Sequence, residues 1–362
     1  MAALTPAYGT LSSFDTLATN YQNIAQIGED RAFEAINLML DAHNAQVALL
    51  RGELCETTTD RLRRYGNPSQ MKMVELGEFG GADAQKVLAG VTVGFPLKLY
   101  GASLQWTRKY FQNATGKELA AQITSMMDAD VQNTIQQIKK ALFSPVNYTD
   151  DDRLVDHLNA IQLPVKALAN ADGSGLPVGP NGEIFNGSTH THYLAVATGG
   201  TLTTTDADAA LNTVLEHFAD GNARFNINRN DEQTWRALTG FVPYYDPAVV
   251  QPITAAYAPT VPLNLVNLNN RAIGRYRGAE IWVKPWMIAG YAHVWVQGQP
   301  PPLCLRVRSA ETDALLLVSE DEEHPLRAKQ YEREFGVGVF NRVNSAILDM
   351  VHSTTYTAPT VS

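Results

Sequence analysis

Between Thr115 and Pro145 the chain spells one long amphipathic helix, TGKELAAQITSMMDADVQNTIQQIKKALFSP. Leu119, Ile123, Met126/Met127, Val131, Ile135, Ile138 and Leu142 recur at steps of three or four, with one wider step in the middle. That spacing lays a single apolar stripe along the rod. Thr115 and Glu118 match a T-x-x-E capping box, in which each side chain satisfies an orphan amide of the first turn. Lys139 and Lys140 suit the negative end of the helix dipole, and Ser144-Pro145 stops the run. At 1.5 Å per residue the rod is about 40 Å long. It outspans a small core, so other elements must lie across it.

The 362 residues, 45% hydrophobic and 18% charged, fit one large or two modest globular domains. Cys55 and Cys304 are too few for a disulfide framework and suit a reducing compartment. The start, MAALTPAYGT, shows no basic-then-apolar secretory pattern, and no run of apolar residues is long enough to span a membrane. A formal net charge of −9 argues against general nucleic-acid binding, which rests on basic surface, but not against lying beside packaged DNA.

Residues 12–65 read as helices, a short one marked by Leu17, Tyr21, Ile24 and Ile27 and a longer one by Phe33, Ile36, Leu40, Val47, Leu50 and Leu54. Arg61, Arg63 and Arg64 then read as a solvated helix end, or as a patch meeting a neighbour or nucleic acid. Residues 70–107 read as a hairpin: Met71 to Phe79 forms one limb, and Val91, Val93, Phe95, Leu97 and Leu99 form one face of the other. Pro96 keeps that limb off a central ladder. A lone hairpin is marginal in water, so its apolar face needs cover, either from its own domain or, as the Gly-rich tip and Pro96 favour, from another subunit.

Beyond the long helix, the spacing predicts a loop over 170–186, a helix over Thr205–Gly221 capped by Thr205 or Asp206, and a strand over Arg224–Asn228. A Pro-rich excursion comes next over 241–262, then two strands within Ile273–Val296 broken by Pro285 and Gly290. Trp282, Trp286 and Trp295 read as sheet core rather than a binding platform. Strands are expected at Leu303–Arg308, Leu315–Val318 and Gln330–Phe340, with an acidic loop at Glu320–His324 and a short element after Asn341.

Catalytic signatures are missing. The chain has no phosphate-binding loop, nucleophile elbow, H-E-x-x-H, C-x-x-C or G-x-G-x-x-G. The loop start Asn170, Asp172, Ser174, Gly175 faintly matches a calcium loop, yet Asn181 stands where the bidentate acid belongs and Glu183 comes two residues late. His190 and His192, at i and i+2 on an extended segment, point to one side and can share a metal, with His157, His217 or Asp206 as completing ligands. Two ligands fall short of a set, so an ordinary hydrogen-bonding pair is expected, with no metal, cofactor or catalytic residue assigned.

The order of elements closes on IGRYRGAEIWVKPWM–IAGYAHV and REFGVGVFNRVNSAIL. With the preceding hairpin, long helix and mixed segment, this resembles the major capsid proteins of tailed bacteriophages, the Hong Kong 97-type fold shared with encapsulins. The resemblance implies an α+β chain with a helical N-terminal arm over 1–69 and an extended loop over 70–112. A peripheral domain over 113–152 and 301–362 would carry the spine helix, and an axial domain would occupy 153–300. It implies a structural protein, not an enzyme, that assembles with itself through pentamers and hexamers into an icosahedral shell around double-stranded DNA. Scaffolding, portal or decoration proteins are the further partners implied, and the setting implied is a virion assembled in the host cytoplasm. Some members crosslink a lysine to a neighbour's asparagine with help from a glutamate, for which Lys86, Asn341 or Asn344, and Glu334 are at hand. The alternatives are an encapsulin-like nanocompartment and, in another class, a metal-dependent enzyme using His190 and His192.

Overall fold

The computed structural model describes residues 21–66, 71, 73–76, 78, 80, 81, 84, 85, 90–152, 161–244, 270–309, 313–321 and 326–361. Its longest helix, Gly116–Phe143, comes after short helices at Ile24–Ile27 (α1) and Arg108–Asn113 (α3) and the longer Glu29–Gly52 (α2), and is α4. The expected capping box is present: Glu118 N–H donates to Thr115 Oγ1 at 3.3 Å, and Thr115 N–H to Glu118 Oε2 at 2.8 Å. The buried stripe departs from expectation in the middle. There Asp130 and Thr134 face inward while Val131 and Ile135 are half-buried. The carboxylate of Asp130 explains this, because it accepts from Arg333 Nη1 at 2.6 Å and pairs with His43 Nε2 at 2.9 Å. A polar core site thus interrupts the apolar stripe where the wide step falls.

Helix does not continue to residue 65 as expected. Cys55–Thr58 is β1 and Leu62–Tyr65 is β2. Long-range pairing overrides local propensity here: β1 lies parallel to β13 (Leu303–Val307) with Cys55 opposite Leu303. β2 pairs antiparallel with β3 (Val91–Gly94), Leu62 opposite Gly94. Among the described residues of 71–79 no partner limb of the hairpin is formed. Met71, Met73, Val74 and Leu76 are exposed outside any strand, and Phe79 lies outside the described residues.

The apolar face from Val91 to Leu97 is covered by its own chain, the alternative to the neighbouring subunit that its Gly-rich tip and Pro96 favoured. Val93, Phe95 and Leu97 are buried, and Val93 and Phe95 pack with Tyr65, Cys304 and Phe340. Only Leu99 of that face is largely exposed, on β4 (Lys98–Thr107). Two glycines permit the close fit. A Cβ at Gly336 would sit 2.1 Å from the Pro96 carbonyl oxygen, and one at Gly338 would sit 3.0 Å from the Phe95 ring.

Those glycines belong to β15, Leu326–Val339, the axis of a five-stranded sheet. β4 runs antiparallel to its first ten residues, and β13 and β14 (Leu316–Asp321) pair with later and earlier parts of it. Glu320 and Asp321 end β14 rather than opening a loop, and 322–325 lie outside the described residues. α4 lies on this sheet: Ile138, Leu142 and Phe143 pack with Leu303, Leu305, Phe335 and Val337. Its N-terminal half packs with α1, α2, Trp106 and Phe111.

A seven-stranded sheet holds the second core, in the order β7-β16-β12-β8-β11-β10-β9. These strands are Tyr193–Val196 (β7), Asn222–Ile227 (β8), Phe241–Pro243 (β9), Arg271–Tyr276 (β10), Ala279–Val283 (β11), Tyr291–Gln297 (β12) and Ala346–Ser353 (β16). Where two strands were expected within Ile273–Val296 there are three. Arg277 and Gly278, at φ 46° and 88°, make the two-residue turn between β10 and β11. β16 comes from the C-terminal stretch that the expected domain division groups with the spine helix, yet it pairs between β7 and β12. Helix α5, Thr204–Leu215, covers this sheet together with α6, Glu232–Arg236. Thr203, not Thr205 or Asp206, caps α5, and Asp206 supplies the return bond of the box. A small antiparallel ribbon of β5 (Tyr148–Asp151) and β6 (Gln162–Val165) stands between α4 and the irregular segment 166–192.

Candidate functional site

Three histidines meet beside the seven-stranded sheet. His192 stands just before β7, held by its N–H to Ala169 O at 2.7 Å and by Ile347 N–H donating to its carbonyl at 2.9 Å. His190, two residues earlier on the extended segment, points to the same side, as alternation requires. His217 arrives from the turn after α5, where its N–H donates to Val214 O at 3.2 Å. The Nε2 atoms lie 2.9 Å (His190–His192), 3.0 Å (His190–His217) and 3.2 Å (His192–His217) apart. Glu216 Oε1 is 3.5 Å from His190 Nε2 and 3.8 Å from His217 Nε2. The ring of Phe185 packs at a tilt against the group, 4.1 Å from His217 and 5.0 Å from His190 between centroids.

Proton positions are set by the surroundings. His192 Nδ1 lies 2.7 Å from the Ser345 carbonyl oxygen, so its proton sits there and the Nε2 lone pair faces the other rings. Burial first, then the neighbouring histidines, holds His192 well below its ordinary pKa. The same two causes bring His217 down to about 3, and burial lowers His190. All three rings are therefore neutral at neutral pH. His217 Nδ1 has no hydrogen-bond partner among the described residues.

Of the completing ligands expected from sequence, His217 is the one that joins the pair among the described residues. Asp206 is at the far end of α5, accepting from Thr203 and from Ala197 N–H, and His157 lies outside the described residues. Glu216 is a member that sequence reasoning missed. Its one sequence signal is adjacency to His217 in the turn that ends α5.

The other candidates serve structure. Asp172 binds Lys166 Nζ at 2.9 Å, Asn147 Nδ2 at 2.7 Å and Ser174 Oγ at 2.9 Å, with Arg342 Nη2 3.3 Å away. Burial works against ionisation, but these cations and donors outweigh it and hold the carboxyl far below the usual range. An acid so surrounded anchors a loop, and offers no oxygen to calcium. The implied crosslinking asparagines are buried and engaged. Asn341 accepts from Tyr65 Oη at 3.0 Å and donates to Pro300 O at 3.0 Å, while Asn344 bonds both backbone groups of Val296. Glu334 holds Arg308 through two oxygens, at 2.5 and 2.6 Å, and Lys86 lies outside the described residues.

The arginines after α2 pin the chain to itself. Arg61 Nε lies 3.3 Å from the buried Asp152, which Arg306 also meets at 2.9 Å. Arg63 binds Glu56, Asp60 and Thr58, and Arg64 is exposed on β2. Trp286 and Trp295 are core, as expected, whereas Trp282 is half-buried beneath Arg224 and Lys284. Cys55 and Cys304 are buried free thiols, each pushed up to about 12, chiefly by burial.

One surface stands out among the described residues. β14 forms an edge of the five-stranded sheet, and all six of its residues are exposed. Leu316, Leu317 and Val318 keep 38–49% of their surface in solvent. An uncovered apolar edge strand is a ready-made contact for another chain. No helix among the described residues is long and apolar enough to cross a membrane.

No family model matches the chain, and no curated protein does. Solved structures do. One from Mycobacterium phage Patience is 19% identical, covers 90% of this chain and 89% of its own, and superposes with a TM-score of 0.66. The capsid of a native GTA particle is 14% identical over 84% of this chain and 91% of its own, with a TM-score of 0.48. The holo-SrpI encapsulin of Synechococcus elongatus is 11% identical over 85% and 89%, with a TM-score of 0.40. The first match, running along nine-tenths of both chains, carries the assignment. The spine helix laid on a sheet built around one long strand, with a second sheet beside it, is the Hong Kong 97-type capsid fold.

Proposed function

We propose that this chain is a major capsid protein, which assembles with itself through pentamers and hexamers into an icosahedral shell around double-stranded DNA. The observation that carries the reading is the fold, matched along 90% of the chain to the phage Patience structure. The uncovered edge at β14 supports it independently, since a shell subunit must present apolar surface that only assembly buries. In this reading the five-stranded sheet and α4 form the peripheral part, the seven-stranded sheet including β16 forms the axial part, and β14 meets neighbouring subunits. Head-to-tail contacts close into rings, and rings tile a closed surface. Each contact can stay modest, because a wrongly placed subunit must be able to leave before the shell locks. The role is structural, with no catalytic residue, and scaffolding or portal proteins are its further partners.

Sedimentation velocity of the purified full chain tests this. The wild-type chain is expected to form a species hundreds of subunits in mass, and Leu317→Lys to remain subunit-sized with an unchanged circular-dichroism spectrum. If Leu317→Lys assembles as the wild type does, β14 is not a shell contact. Nucleic acid in particles from infected cells separates a capsid from a nanocompartment, which would hold protein cargo instead.

A further inference from the structure

We propose that His190, His192 and His217, with Glu216, form a structural site for a divalent cation of the zinc class. The three Nε2 atoms stand 2.9–3.2 Å apart. The circle through them has a radius of about 1.8 Å, so an ion at the usual 2.0–2.1 Å zinc–nitrogen distance sits about 1 Å above their plane. Glu216 Oε1, 3.5 and 3.8 Å from two of these nitrogens, is the fourth ligand after a small side-chain rotation.

Proton counting supports a cation over a hydrogen-bonded trio. His192 has its proton on Nδ1, toward Ser345 O, so its Nε2 is a bare lone pair. His217 Nδ1 meets no partner among the described residues in either protonation state, so it does not choose between a metal and a hydrogen-bonded trio. Only one proton fits among three Nε2 atoms this close, whereas a cation takes all three lone pairs together.

Imidazole donors select zinc, and related soft divalent ions, over calcium or magnesium. The Ser345 carbonyl supplies the outer contact that orients a metal-bound imidazole. An entry path exists, because His190 and Glu216 reach solvent while His192 and His217 are buried. Four protein ligands close a tetrahedral ion, which makes the site structural rather than catalytic. Such an ion would tie the 186–192 loop, the end of α5 and, through Ser345, the start of β16 into one unit.

The test uses the untagged full chain, stripped with a chelator, and is read on the subunit whatever its state of assembly. Zinc uptake is measured by elemental analysis after dialysis, and site geometry by cobalt(II), which absorbs strongly in the visible when four-coordinate and weakly when hydrated. Near one zinc per chain is expected, together with the strong cobalt spectrum and a zinc-dependent rise in melting temperature. His190→Ala, the more exposed histidine, should keep the circular-dichroism spectrum and lose about 100-fold or more in affinity. Glu216→Gln should weaken binding and alter the cobalt spectrum. A wild-type chain that takes up no zinc overturns the proposal, as does His190→Ala binding zinc like the wild type. Shell assembly is scored separately, so failure of the capsid reading would leave this result intact.

Discussion

Gly336→Ala probes the packing of Gly94–Leu97 onto β15, the point where the chain departs most from a freely projecting arm. Replacing glycine by alanine in a compatible backbone stabilises by roughly 0.4–1 kcal/mol through the unfolded chain. At Gly336 the new methyl would stand 2.1 Å from Pro96 O and 2.6 Å from its carbonyl carbon, which are backbone atoms with no rotamer to escape into. The segment must lift, straining the bonds that seat it: Arg306 Nη1 to Phe95 O at 2.9 Å and Phe95 N–H to Arg61 O at 3.0 Å. Overpacking of this kind costs roughly 1–3 kcal/mol, which exceeds the entropic gain and sets the sign. Gly52, the last residue of α2, has nothing within 4 Å of an added methyl and serves as the control. There the change is expected to be neutral, or stabilising by up to about 1 kcal/mol. Urea unfolding of both variants, at one subunit concentration and under non-assembling conditions, reads the difference. A Gly336→Ala chain as stable as the wild type would mean that residues 94–97 do not rest on the sheet.

Three further outcomes rest on the same physics. Asp130→Ala leaves the buried Arg333 guanidinium without its 2.6 Å partner and should cost roughly 3–5 kcal/mol; adding Arg333→Met should recover much of that, and additive losses in a double-mutant cycle would contradict the coupling. His293 is buried between Asn226 and Ser345, and burial brings it down to about 3, so below pH 6.5 the unfolded chain binds a proton the native one refuses. Stability should therefore fall by about 1.4 kcal/mol per pH unit from about 6.5 toward 3 on account of this group. The gap between wild type and His293→Gln should narrow over that range, and a constant gap would refute the assignment. Leu317→Lys, on the exposed edge, should change subunit stability by no more than about 0.5 kcal/mol while abolishing large assemblies; a strongly destabilised subunit would place Leu317 in the core instead.

Where local chemistry decides the structure, the sequence was legible. The T-x-x-E box and the stripe from Leu119 to Leu142 specify α4 without help from distant residues. The alternation in QYEREFGVGVF marks β15, although the strand begins four residues earlier, at Leu326, where β4 pairs with it. Partners distant in sequence were less readable. Thr57 and Thr58 become strand because β13, some 250 residues away, offers a ladder. Val93 and Phe95 alternate as an exposed arm would, and only the missing Cβ atoms of Gly336 and Gly338 reveal that the chain folds back over them. Likewise Asp130 looks like an interruption of a helix stripe until Arg333 and His43 are placed beside it. The histidine cluster was half legible: the i, i+2 pair is local, while His217 and Glu216 arrive through the packing of α5.

The central claim is that copies of this chain build a closed shell, and cryo-electron microscopy of the particles that pellet from cells expressing it tests that most directly. The expected image is a closed icosahedral shell of five- and six-membered rings. Each subunit should show α4 lying on the five-stranded sheet, with Leu316–Val318 buried against a neighbour. Subunit-sized protein that forms no particle even with its scaffolding partner, or particles in which β14 still faces solvent, would contradict it.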